Sequence, residues 1–146
     1  MSTAKTIHQQ PYARRLMSHH LDDCERLDLY YSDAPIWTVA DITKCIKAKN
    51  NVGLGVVDQA HNDELQGYMV YDCAQYQCVH VYHLAWSTEL FAAYLLDVIK
   101  YRTYATIDVH ERDVRTQLLL QRYGYRWICT GKGSEGDVYT FRIDRE

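Results

Sequence analysis

The order of elements in this sequence predicts an α+β layered domain, with a mixed and mostly antiparallel sheet flanked by about four helices. Two observations carry that expectation. Three runs of extended, β-rich composition, VGLGVVD, QGYMVYDC and VHVYHLAW, follow one another with only short turns between them, as in an antiparallel meander. After them the period changes from helix (STELFAAYLLDVIKYR) to strand (TYATIDVH) to helix (VRTQLLLQRY), which is the pattern of a crossover onto the same sheet.

The 146 residues, 47% of them hydrophobic, suit one domain over residues 1–146 with a substantial core. A net charge of −3, from 16 basic and 19 acidic side chains, supplies no general attraction to nucleic acid or an anionic membrane. No apolar run reaches the length of a membrane span, and the first residues lack the apolar middle of a secretory signal, so a cytoplasmic location is the expectation. The five cysteines are scattered without a C-x-x-C pair, which favours free thiols over a disulfide or zinc framework. Thirteen tyrosines against two phenylalanines suit a half-exposed core periphery, and leave a tyrosine-rich groove open as an alternative.

Met1 to about Ala13 reads as a tail or an edge strand, with a short strand near Arg15–Met17. Leu21–Tyr31 spaces Leu21, Cys24, Leu27 or Asp28, and Tyr31 on one helical face, with Asp22 and Asp23 in the first turn. Pro35 ends that helix. Thr38 and Asp41 form a variant capping box for a second helix, and Asn50 and Asn51 close it. In the strand from Val79 to Trp86, simple alternation points Val79, Val81, His83 and Ala85 one way and His80, Tyr82, Leu84 and Trp86 the other. His80 and His83 then cannot share a metal, and no metal site is expected. Ser87 or Thr88 caps the third helix, whose stripe is Leu90, Phe91, Tyr94, Leu95, Val98 and Ile99. Asp113 caps the fourth and Gly124 stops it; RWICT and DVYTFRID, joined by GKGSEG, make a closing hairpin.

Several short motifs stand in an order that resembles the GNAT superfamily of N-acetyltransferases, and within it the ribosomal-protein alanine N-acetyltransferase branch. They are Asp22–Asp23, Pro35 with Trp37, NNVGLGVV, QGYMVYD, HLAW and IDVHERDVRTQLLLQRYGYR, together covering about Arg15 to Asp144. The resemblance implies that the HLAW strand splays from the next one and that backbone near Leu84, Ala85 and Trp86 pairs with the pantetheine arm of acetyl-CoA. It also implies a protein N-terminus or small-molecule amine as acceptor, with Asp108 in the place of the family's glutamate base.

Three departures accompany the resemblance: Asp108 stands for the usual glutamate, and the other two concern the cofactor loop and the acid. The family's glycine-rich pyrophosphate loop is missing: only Ser87, Thr88 and Glu89 stand between Trp86 and the helix, with no glycine from Leu84 to Arg122 and no basic residue from Leu84 to Ile99. Glu89 puts a negative charge where an anionic pyrophosphate would lie. Counting back from Gly124, the family's proton-donating tyrosine falls on Leu120, which leaves Tyr123 as a substitute acid in a different helical direction. Two functions therefore stand: an acetyltransferase using acetyl-CoA, or a non-catalytic GNAT-fold module that binds a peptide or ligand, or forms a homodimer through an exposed strand edge. Tyr82, His83 and His110 fall near the expected cleft. A nucleic-acid surface is disfavoured, because Arg112, Arg115, Arg122 and Arg126 are interleaved with a core face.

Overall fold

A computed structural model describes residues 11–75 and 77–144. The expected tail before residue 11 lies outside the described residues. Seven strands form one sheet in the order β1-β2-β3-β4-β5-β7-β6, with β1 Pro11–Arg15, β2 Asn51–Asp58, β3 Glu64–Asp72, β4 Cys78–Trp86, β5 Tyr104–His110, β6 Arg126–Gly133 and β7 Gly136–Asp144. Only β4 and β5 run parallel; the other neighbours are antiparallel. Four α-helices accompany the sheet: α1 Leu21–Tyr31, α2 Val39–Lys47, α3 Glu89–Val98 and α4 Val114–Arg122. The α+β layered fold with a mostly antiparallel mixed sheet is thus the one the sequence predicts.

The helices cover the sheet from two sides and define two cores. On one side Phe91, Ala92, Leu95 and Leu96 of α3 and Leu119 and Leu120 of α4 pack on Val56, Met69, Val81, Ile107 and Phe141. On the other, Cys24 and Leu27 of α1 and Ile42 of α2 pack on Val57, Tyr68 and Val70. The third helix presents a different stripe from the expected one. Leu90 and Val98 face solvent, Ala92 and Leu96 take the buried positions, and the helix stops at Val98 instead of continuing to Arg102.

Local signals hold elsewhere. The Thr38 hydroxyl accepts from Asp41 N at 3.2 Å while the Asp41 carboxylate accepts from Thr38 N at 3.0 Å, closing the capping box. Asp113 accepts from Thr116 N at 3.2 Å, and Gly124, at φ 91°, turns the chain out of α4. Thr88 stands at the N-cap of α3 without a side-chain capping hydrogen bond, and the neighbouring Ser87 hydroxyl donates to Gln66. The first strand ends at Arg15, so Leu16 and Met17, expected in it, lie beyond.

One irregularity decides the site. The β3–β4 register passes from Val70↔His83 to Tyr71↔Val81, leaving Tyr82 as an extra residue. Such a bulge reverses the side-chain alternation beyond it. Val79 and Val81 therefore share the α3/α4 core with Leu84 and Trp86, whereas His83 and Ala85 face α1 and α2. The simple alternation expected for Val79–Trp86 is corrected here, and His80 and His83 lie on the same face of the sheet.

Candidate functional site

The parallel pairing of β4 with β5 ends at Val81↔Ile107. Beyond that point the two strands no longer pair, and a cleft of about 380 Å³ opens beside them. Its walls come from the segment after α1 (Pro35, Trp37), from β4 (Tyr82, His83), from β5 (Asp108, His110) and from the β6–β7 turn. That turn is positioned through Gly136, whose φ of 127° excludes most side chains and whose Cβ would come within 3.0 Å of His110 Nε2.

Asp108 sits on the cleft wall with both carboxylate oxygens engaged. Oδ2 accepts from His80 Nε2 at 2.9 Å and Oδ1 from the Thr140 hydroxyl at 2.9 Å. His80 Nδ1 lies 2.6 Å from Thr106 Oγ1, and Tyr82 meets the imidazole edge-on. With Nε2–H held by Asp108, a neutral His80 accepts the Thr106 proton at Nδ1. Asp108 thus orients a histidine in addition to facing the cleft.

A second network supports the opposite wall. Asp28 is 1% exposed and its carboxylate accepts from Tyr68 Oη at 3.0 Å, Trp37 N at 3.0 Å and His83 Nε2 at 2.8 Å. Three donors offset the cost of burying the charge. The Trp37 ring stacks on His83 at 4.5 Å with an 11° tilt, so one buried carboxylate holds the His83 ring and the Trp37 backbone that form this wall. Burial, with the Asp28 charge next in importance, pushes the Tyr68 hydroxyl well above its ordinary range. Asp113 completes the cleft. Burial raises its carboxyl above the usual range, opposed by hydrogen bonds from Thr116 and by His83.

The end of β4 is filled. Arg115, from α4, donates through Nη1 to the Trp86 carbonyl at 2.8 Å and through Nη2 to the Ser87 carbonyl. Its guanidinium carbon stands 3.5 Å from the Trp86 ring centroid, and Trp86 Nε1 donates to Thr116 Oγ1 at 3.0 Å. The void left among Leu84, Trp86, Arg115 and Thr116 is about 10 Å³, no more than a single water needs.

The residues that the resemblance offers for acetyl-CoA do not fit that group here. The Trp86 carbonyl is taken, the neighbouring void is too small for a pantetheine arm, and the first turn of α3 carries Glu89 paired with Arg122 at 2.5 Å. Among the described residues, β1 and β6 are the outer strands of the sheet. Tyr123 donates to Glu89 at 3.4 Å and lies outside the cleft that holds Asp108, while Leu120 is buried in the core. Leu84 reaches the cleft, and Ala85 packs toward the α1 side. Among the described residues no cluster of His, Cys, Asp or Glu has the makings of a metal site, and the five cysteines are free. No helix there is long and apolar enough to cross a membrane.

Asp28, His80, Trp37 and Arg115 shape the site although sequence reasoning assigned none of them a binding role: Asp28 shares a helical position with Leu27, Trp37 lies inside a motif, His80 was weighed only as a metal partner of His83 and Arg115 only for a nucleic-acid surface.

The architecture is that of the GNAT N-acetyltransferases. The Escherichia coli ribosomal-protein-S18-alanine N-acetyltransferase superposes with a TM-score of 0.68 over 92% of this chain and 94% of that one, at 9% identity. A protein assigned to the GNAT family from Desulfovibrio desulfuricans gives 0.69 at 13% identity, covering 92% and 99%, and Ard1 from Thermoplasma volcanium 0.70 at 11%, covering 92% and 97%. No protein-family profile and no curated protein matches the chain in sequence. At these identities the likeness establishes the fold.

Proposed function

We propose that this chain is a GNAT-fold binding module whose cleft takes a cationic amine, on a peptide N-terminus or a small molecule, without acetyl transfer. The observation that carries this reading is the composition of the open cleft. Asp41, Asp108, Asp113 and Glu135 line it together with Trp37 and His83, and among the described residues lining it there is no lysine or arginine. Carboxylates beside an aromatic wall attract and desolvate an ammonium group, through charge and through the ring face. The end of β4 that would serve acetyl-CoA is filled at the same time, which separates amine binding from acyl transfer.

Calorimetry with tetraalanine amide, against the same peptide N-acetylated, tests the proposal. The free amine is expected to bind and the capped peptide to bind at least about 10-fold more weakly, equivalent to about 1.4 kcal/mol. Asp108→Asn should weaken the free-amine complex by a similar factor while leaving the far-UV spectrum unchanged. Equal affinity for both peptides would overturn the assignment of an ammonium site.

The second reading, acetyl transfer to that amine, is favoured by the β4–β5 splay and by Asp108 facing the cleft. Its discriminating observation is saturable binding of acetyl-CoA.

A further inference from the structure

Arg115 makes a set of contacts that neither ordinary surface packing nor amine binding explains. Its guanidinium has backbone carbonyls as its hydrogen-bond partners: Trp86 at 2.8 Å, Ser87, and Tyr31 at 3.3 Å. It lies against the Trp86 ring at 3.5 Å, with the Tyr31 ring at 5.6 Å on α1. One side chain from α4 therefore bridges the end of β4, the start of the turn into α3 and the last residue of α1. Trp86 still pairs with Gly67 of β3, but toward β5 the ladder has already ended at Val81↔Ile107, and it is there that Arg115 meets the Trp86 and Ser87 carbonyls. A planar fork of N–H groups is suited to two adjacent carbonyl oxygens, and an ammonium group is not.

We propose that Arg115 is a built-in occupant of the slot beside β4: it takes the terminal carbonyls of the splayed strand, holds the splay shut from the α1 side, and leaves a latent guanidinium-binding site when it is removed. The amine cleft then opens only toward Trp37 and the β6–β7 turn. This inference is independent of the ligand proposed for that cleft, because it concerns the other end of the splay.

Chemical rescue tests it. Arg115→Ala is expected to melt below the native protein by roughly 5 °C. N-ethylguanidinium chloride at about 50 mM, far above a millimolar dissociation constant, should restore at least half of the loss. Ethylammonium chloride at the same concentration should restore much less, and neither salt should raise the melting temperature of the native protein. If the alanine variant does not fold, Arg115→Met keeps the stem against Trp86, and guanidinium itself at low concentration becomes the probe. The proposal is overturned if Arg115→Ala melts with the native protein. It is also overturned if the guanidinium salt stabilises the variant no more than the ammonium salt. Peptide-amine binding is measured separately, so failure of one result is distinguishable from failure of the other.

Discussion

Single carboxylates organise this site, and their environments differ enough to be tested apart. Asp28 is buried and holds His83, Tyr68 and the Trp37 backbone at once. Replacing it by alanine removes the common acceptor and leaves buried donors unpaired, so Asp28→Ala should cost about 3 kcal/mol of stability by denaturant titration. Asp113 behaves differently. Its carboxyl is raised in the folded protein chiefly by burial, so between its ordinary unfolded range near 3.8 and its folded value the native state holds the proton more tightly. The stability linked to that proton is fully present below the unfolded value and is lost as pH rises through the folded one. Asp113→Asn should therefore gain stability relative to the native protein as pH rises above about 4, as read from paired thermal melts. Amine affinity should move in the opposite sense, falling as acid protonates Asp113.

At the scale of elements, capping and turn signals could be read from local sequence, because each depends on residues only a few positions apart. Thr38 and Asp41 show this, and Thr38→Ala should cost about 1 kcal/mol, detected as a lower urea midpoint with an unchanged slope. The β4 bulge was hidden for the converse reason. Tyr82 is one extra residue within a run of strand-forming side chains, and its place is set by the register with β3. Since Leu84 and Val81 are both apolar, nothing in the composition of VHVYHLAW marks where alternation reverses. The exposed Leu90 and Val98 mislead similarly: α3 is apolar nearly all round, so its buried stripe is chosen by the sheet beneath it. Arg115 was the hardest to read. Its partners are backbone carbonyls as many as 84 residues away, and carbonyls leave no signature in sequence.

Across the whole molecule, the fold and the proposed chemistry rest on different observations. The sheet order, the single parallel pair and the splay at Val81↔Ile107 belong to the GNAT architecture, and the motif order from Arg15 to Asp144 was enough to anticipate it. The short Trp86–Glu89 connection and Leu120 were equally legible, because the resemblance sets glycines and a tyrosine at stated places. What stands there was legible only in three dimensions: Glu89 tied to Arg122 at the start of α3, Arg115 on the last carbonyl of β4, and an acidic, aromatic cleft open beside them. The central claim is that this scaffold binds an amine in its cleft but has closed the cofactor slot. Isothermal titration of the native protein with acetyl-CoA tests it most directly: the account predicts no saturable heat up to about 1 mM, whereas binding with a dissociation constant in the micromolar range would contradict it.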